Sequence, residues 1–366
     1  MFRFSLFLST ALLLFTQACG DNGKTGDKVK AGDNVKPGKN EKPEDASLVQ
    51  TFNAGLSIGD FLEAKIDTKN LSYSYEVKEG DFKGLAEGKG SGTLKLLPQF
   101  GGYAYQTSQG TLAVVVKDEV IIGAVGTNFY VGVPTLGTAF KNSDVAGVYS
   151  YVNFAPKGIA GDPSDKAGYG TVQLKEDGSF DIAIKKNLGG SPPEAADISG
   201  TYKNLGNGVV EAFDSSNKKI ANLLLKLVPS GRHFMVVDLI DAAVKGIGFA
   251  QKQGDVASLS LDGSYNAIVT GFDKEVEGKV SGGKLQIIQE GIPVTIDVTY
   301  NDPWPGIVKG VAKAPIPLEP KGKLEFFGIY SESSNTLYSV IEYFADQNAK
   351  VISKYVKPTA FIAIKK

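Results

Sequence analysis

The stretch SFDIAI (179–184) alternates apolar and polar or small residues at every second position, and so does YGTVQL (169–174) before it. A period of two is the side-chain repeat of a β-strand, so each run buries one face and exposes the other. Between them lies Lys175-Glu176-Asp177-Gly178, an acid-glycine turn that reverses the chain into a hairpin. The same grammar recurs. GTLKLL (92–97) follows the glycine-rich GKGSG. EVEGKV and KLQIIQ flank Ser281-Gly282-Gly283, and VTIDVTY (294–300) alternates as well. Glycine is abundant at 44 residues, with 15 Tyr and 20 Phe, a composition suited to strands joined by tight turns. Helical periodicity is scarce. Residues 48–66 carry some, interrupted by Gly55 and Gly59, and 240–244 has room for one turn. The expected fold is therefore mainly β: two to three antiparallel β-barrel or β-sandwich units in series after a disordered N-terminal tether.

Paired apolar runs separated by a polar break appear at AVVVKDEVIIGAVG (113–126), FMVVDLIDAAVKGIGFA (234–250) and TYNDPWPGIVKGVA (299–312), and the chain closes on AFIAI (360–364). A Gly-x-Tyr strand start recurs at Gly147, Gly200 and Gly263. These echoes predict related meanders and fall short of a sequence repeat. Expected boundaries are 47–140, 145–253 and 255–366, with long loops at 156–168 and 189–197, rich in Gly, Pro and Asp.

The N-terminus carries an address. Arg3 precedes FSLFLSTALLLF (4–15), an uncharged run of signal-peptide length, too short to span a bilayer, which takes ~20 residues. Thr16-Gln17-Ala18-Cys19 follows, and Cys19 is the only cysteine of the chain. A small residue before a cysteine at this place resembles the lipobox of bacterial lipoproteins, with Thr16 and Gln17 where Leu and a small residue are usual. The resemblance covers the first twenty or so residues. It implies removal of 1–18, a diacylglyceryl group on the Cys19 thiol, and usually acylation of the new N-terminus. Gly20 rather than Asp after the cysteine points to the outer membrane. Two or three acyl chains hold a protein firmly where one does not, and no other stretch is long and apolar enough to span a bilayer. With Cys19 lipidated, no thiol is left for a disulfide.

Residues 19–46 then read as a tether. From Asp21 to Ala46 there is no aromatic residue, and six lysines face six acids. Such a segment cannot bury enough apolar area to offset its ordering entropy. As a coil it would reach on the order of 30 Å.

The chemistry the sequence can support is narrow. The whole chain has net charge −1, which gives no electrostatic footprint for nucleic acid. His233 is the single histidine, and no G-x-S-x-G elbow accompanies it. It is expected to open a strand with no catalytic task. One histidine and no free cysteine cannot build the usual zinc, copper or iron sites. His233 and Met235, two apart on a strand, point the same way and cannot ligate opposite faces of a haem. Acidic loops such as GDPSDKAGYG (161–170) lack the spaced ligands of a calcium loop, and GLAEGKGSG (84–92) lacks phosphate-loop spacing. No stretch singles out a pair of carboxylates. No cofactor or metal is expected.

Aromatic side chains remain as binding candidates. Trp304, the sole tryptophan, is held between Pro303 and Pro305. Tyr103 with Tyr105, and Tyr149 with Tyr151, each share one face of a strand, either as core and cross-strand ladder or as the lining of a cavity. The sequence thus predicts a lipid-anchored outer-membrane lipoprotein without catalysis, acting as a binding or structural envelope module. Its expected partners are the bilayer and an envelope protein, a glycan or a small apolar ligand. A calycin-like barrel carrying a small apolar ligand is one alternative, although the chain has no lipocalin signature. A carboxylate-based hydrolase of envelope polysaccharide is the other.

Overall fold

The computed structural model describes residues 49–365 except 81–87, 98–103, 109–112, 117–119, 126–127, 137–138, 155–166, 189–197, 229, 241–244, 254–260, 270–274, 290–291, 298, 301–310, 319–321, 332–334 and 346–358. The fold is mainly β, built of antiparallel meanders.

The first ring consists of β1 (Val49–Leu56), β2 (Phe61–Asp67), β3 (Ser72–Glu79), β4 (Lys89–Leu96), β5 (Ala104–Thr107), β6 (Ala113–Val116), β7 (Ile121–Val125) and β8 (Asn128–Pro134). It closes where β1 pairs with β8. A one-turn helix, α1 (Asn142–Val145), leads into the second ring. That ring holds β9 (Gly147–Phe154), β10 (Ala167–Leu174), β11 (Ser179–Leu188), β12 (Ile198–Asn204), β13 (Val209–Asp214), β14 (Lys219–Lys226), β15 (Phe234–Leu239) and β16 (Gly246–Lys252), closed by β9 against β16.

The third sheet comprises β17 (Gly263–Val269), β18 (Glu275–Ser281), β19 (Lys284–Gln289), β20 (Ile292–Asp297), β21 (Thr299–Tyr300), β22 (Val311–Leu318), β23 (Gly322–Ser331), β24 (Thr336–Ala345) and β25 (Thr359–Lys365). β17 pairs with β25, which leaves β20 and β21 at the two edges of nine strands. Those edge strands are one residue apart in the chain, so the sheet comes round on itself through the covalent backbone. Pro315 and Pro317 sit in β22, which flanks the break. Neither has an N–H to give, so the ladder cannot zip further at that edge.

Local chemistry sets the hairpins. In the β10–β11 turn the Gly178 N–H returns to the Lys175 carbonyl at 3.1 Å, and Asp177 Oδ1 accepts from the Ser179 amide and hydroxyl at 2.8 and 2.7 Å. Gly282 and Gly283, both at positive φ, make the two-residue β18–β19 turn between the paired residues Ser281 and Lys284. Within 48–66, where the sequence hinted at a helix, the described residues 49–66 form the β1–β2 hairpin, because LEAKI alternates and Gly59 turns the chain. Residues 241–244 of the other helical candidate lie outside the described residues.

Many glycines stand inside strands, where an aromatic ring from the neighbouring strand lies over them. Tyr75 covers Gly90, Tyr73 covers Gly92, Tyr130 covers Gly123 and Phe180 covers Gly200; a Cβ at any of these glycines would approach the ring to less than 3.0 Å. This pairing gives a bent strand its room and returns apolar contact in place of the missing side chain. Two of the Gly-x-Tyr starts perform a common task. Tyr149 and Tyr265 each donate their hydroxyl to the carbonyl four residues back, Val145 and Leu261. Gly147 and Gly263 each lie under the final lysine of the closing strand, Lys252 or Lys365. The second ring and third sheet therefore begin and close alike. The third Gly-x-Tyr, at Gly200, lies within β12.

The core has three parts. Phe52, Leu62, Ile66, Leu94 and Tyr130 belong to the cluster inside the first ring. Tyr149, Leu174, Phe180, Leu223 and Met235 belong to the one inside the second. The third cluster joins outward-facing residues of all three sheets, including Val131, Val133, Leu224, Val236, Phe249, Ile329 and Ile362. Within it Tyr338 is fully buried, stacked on Phe234 at 4.6 Å and Phe249 at 4.9 Å, and Tyr169 stacks on Phe327 at 4.7 Å. Outer faces that would otherwise be solvated are thus covered by neighbouring rings, and residues 49–366 form one compact unit. The three sheets cover 49–134, 147–252 and 263–365.

Candidate functional site

The described aromatic residues among those singled out by sequence belong to two different rings. Tyr105 lies inside the first ring, and Tyr149 and Tyr151 lie inside the second, all three buried. Tyr149 is tied to Val145 O at 2.7 Å, and the Tyr151 ring lies over Gly248. Burial pushes both phenols well above their ordinary value. These are the surroundings of core side chains. Cys19, Tyr103 and Trp304 lie outside the described residues.

His233 stands just before β15 as a clasp. Its Nδ1 accepts the Val228 amide at 3.1 Å, and Nε2 lies 3.0 Å from the Asp144 carbonyl. Because Nδ1 accepts an N–H, the proton resides on Nε2 and is donated to Asp144, which fixes a neutral tautomer. Burial, with the charge of Lys252, holds its pKa below the usual value, against the opposing effect of Asp144. The clasp secures the connector that covers one end of the second ring. Along that connector Phe140 and Val145 join the inner cluster. Asn204 Nδ2 donates to Phe140 O at 2.6 Å, and the Leu136 amide donates to Asn207 O at 3.1 Å.

A polar assembly lies at the seam between the first and second rings. Along β15, Val237 points into the second ring, so Asp238 points out of it, toward the first. Gly55 of β1 faces Asp238 so closely that a Cβ there would sit 2.9 Å from the Asp238 Cβ. Asn222 of β14 uses its amide as a bridge: Nδ2 donates to Asp238 Oδ2 at 3.0 Å and to Glu79 Oε2 at 2.9 Å. The other Glu79 oxygen takes the Lys219 ammonium, which also holds Glu211 at 2.8 Å. Glu79 belongs to the first ring, and both of its oxygens are held by β14 of the second. Asn53 adds a further cross-link to Asn207 O at 3.1 Å.

The two bridged carboxyls are driven apart in proton affinity. Asp238 has no exposed surface. Burial pushes its pKa up to about 8, against the Asn222 hydrogen bond and with help from the negative charges of Glu79 and Asp60. Partial burial also pushes Glu79 up, but the hydrogen bonds of Asn222 and Lys219 and the lysine charge outweigh it and leave Glu79 below its usual value. At neutral pH the pair is one acid and one carboxylate. Asp238 Oδ1 is buried without a hydrogen-bond partner. Among the described residues no group of three or more His, Cys, Asp or Glu is placed to hold a metal ion. The sequence signal for Asp238 was a lone acid inside the apolar run FMVVDLI; nothing in the sequence joins it to Glu79.

No protein-family model matches the sequence, and no curated protein matches it. Among solved structures, the DNA polymerase III subunit beta from Pseudomonas aeruginosa aligns over 89% of this chain and 94% of that chain, at 8% identity and a TM-score of 0.12. A likeness of that size carries no argument about fold or function.

Proposed function

We propose that the protein is a lipid-anchored module of the bacterial outer membrane, without catalysis, that binds or braces envelope components through the outer surface of one rigid three-sheet body. The observation that supports this reading is where the apolar side chains go. The described interiors of the first two rings are occupied by their own large residues, and the outer faces that meet are sealed by Tyr338, Phe234 and their neighbours. Such a body offers rigidity and surface. Catalysis is disfavoured because the raised-pKa member of the carboxyl pair is walled in: Asp238 has no exposed surface for a substrate to reach. The anchor rests on Cys19 after its signal-like leader, with 21–46 as a solvated spacer. The Cys19→Ser variant, expressed with its leader in a Gram-negative host, is expected to leave the membrane fraction and lose incorporation of labelled palmitate. Retention of Cys19→Ser in the membrane fraction would refute the anchor.

The carrier reading keeps one supporting feature. An eight-stranded ring has an interior just wide enough for side chains or one small ligand. Tyr73 Oη and Thr107 Oγ1 of the first ring are buried without partners. Native mass spectrometry of freshly purified protein is expected to show a co-purifying mass if that ring carries a ligand, and the bare chain if it does not.

A further inference from the structure

We propose that the seam between the first two rings is a proton-controlled latch, closed when Asp238 carries a proton and loosened when it loses it. Asn222 bridges Asp238 and Glu79 through one amide, and Glu79 is a first-ring side chain with both oxygens held by the second ring. Val131 and Val133 of the first ring and Leu224 and Val236 of the second belong to one buried apolar cluster. Gly55 brings the β1 backbone against Asp238, which has no exposed surface in the closed seam.

The charged groups around Asp238 come from every element at the seam. Glu79 at the end of β3 and Asp60 before β2 are negative and oppose its ionisation. Lys219 at the start of β14 favours it, but that ammonium is already shared between Glu79 and Glu211. Lys245, before β16, lies against Gly59. An ionised Asp238 would therefore be a second carboxylate on the Asn222 amide, with Oδ1 unpaired and no exposed surface. A buried charge in that position is relieved by hydration, and hydration requires the seam to open.

The sign follows from linkage. The closed form keeps the proton up to about pH 8, whereas a hydrated aspartate releases it near 3.8. The open-to-closed ratio therefore rises with pH between those values, by up to ~10-fold per pH unit, and levels off above the upper one. The latch is firm in acid and loosest at mildly alkaline pH. It does not depend on the lipid anchor.

The test is hydrogen exchange on the full mature protein from pH 5 to pH 9, expressed as protection factors so that intrinsic exchange chemistry cancels. Wild-type protein is expected to lose at least ~10-fold protection in β1, β8, β14 and β15 between pH 5 and 8, with no further loss to pH 9 and little change in β12. Asp238→Asn is expected to show no such pH dependence. Glu79→Gln, which removes the like charge, should move the rise to lower pH and serves if Asp238→Asn does not fold. Flat protection in wild type, the same loss in Asp238→Asn, or equal loss in β12 would each overturn the latch.

Discussion

Replacing Tyr338 with alanine removes one of the rings that fasten the third sheet to the second ring. Tyr338 is fully buried, with Phe234 4.6 Å and Phe249 4.9 Å from its centroid. Both partners belong to the second ring, so the hole opens between two β-structures whose curved walls cannot both collapse into it. Deleting a buried aromatic ring costs about 3–5 kcal/mol, a range that includes about 0.5–1.5 kcal/mol for each ring pair. With two ring contacts and little room to relax, about 4 kcal/mol is expected. Urea unfolding followed by circular dichroism measures it. Wild-type protein should unfold in one transition, because the shared cluster couples the sheets; Tyr338→Ala should unfold at lower urea and split into two steps. Tyr338→Phe keeps the rings and should lose less than ~1 kcal/mol. If Tyr338→Ala unfolds in one transition within about 1 kcal/mol of wild type, the sheets are not held together by this cluster.

Other substitutions probe separate links. Gly200→Ala places a Cβ 2.0 Å from the Phe213 carbonyl and 2.8 Å from the Phe180 ring, so a loss above ~2 kcal/mol is expected in thermal unfolding; an unchanged melting temperature would refute the aromatic seat. Asp238→Asn removes a group whose raised pKa withdraws stability as pH climbs from about 4 to about 8. At pH 7 the variant should be more stable than wild type by on the order of 2–4 kcal/mol and level with it near pH 4, as urea midpoints would show. His233 is held below its usual pKa, so its contribution is present near pH 7 and fades as pH falls below 6.5. Nitrogen NMR across a pH titration should find the ring titrating below its usual value, with the proton of its neutral form on Nε2; a midpoint at or above the usual value, or a neutral form protonated on Nδ1, would contradict the clasp.

Local turn chemistry made much of the chain legible. Asp177-Gly178 and Gly282-Gly283 announce their hairpins because the turn and its side-chain caps are made by neighbours in sequence. The mainly β fold followed from the same alternation. The strand glycines were harder to place. Gly92, Gly123 and Gly200 lie under Tyr73, Tyr130 and Phe180, a role fixed by cross-strand register. The apolar run FMVV in β15 gave no hint that Phe234 and Val236 face other sheets while Met235 and Val237 face the ring interior. Tyr149 and Tyr151 share a strand face, as alternation required, but only the closed ring decides that this face is the interior. Asp238 was visible as an acid in an apolar strand, whereas its partner Glu79 belongs to a different ring and could be found only in three dimensions.

The functional reading depends most on the chemistry at Cys19, and the intact mass of the N-terminal segment from native membranes tests it directly. The expected result is a chain that begins at Cys19 and carries a diacylglyceryl group, with or without a further acyl chain. A free Cys19 thiol, or a chain that retains residues 1–18, would contradict it.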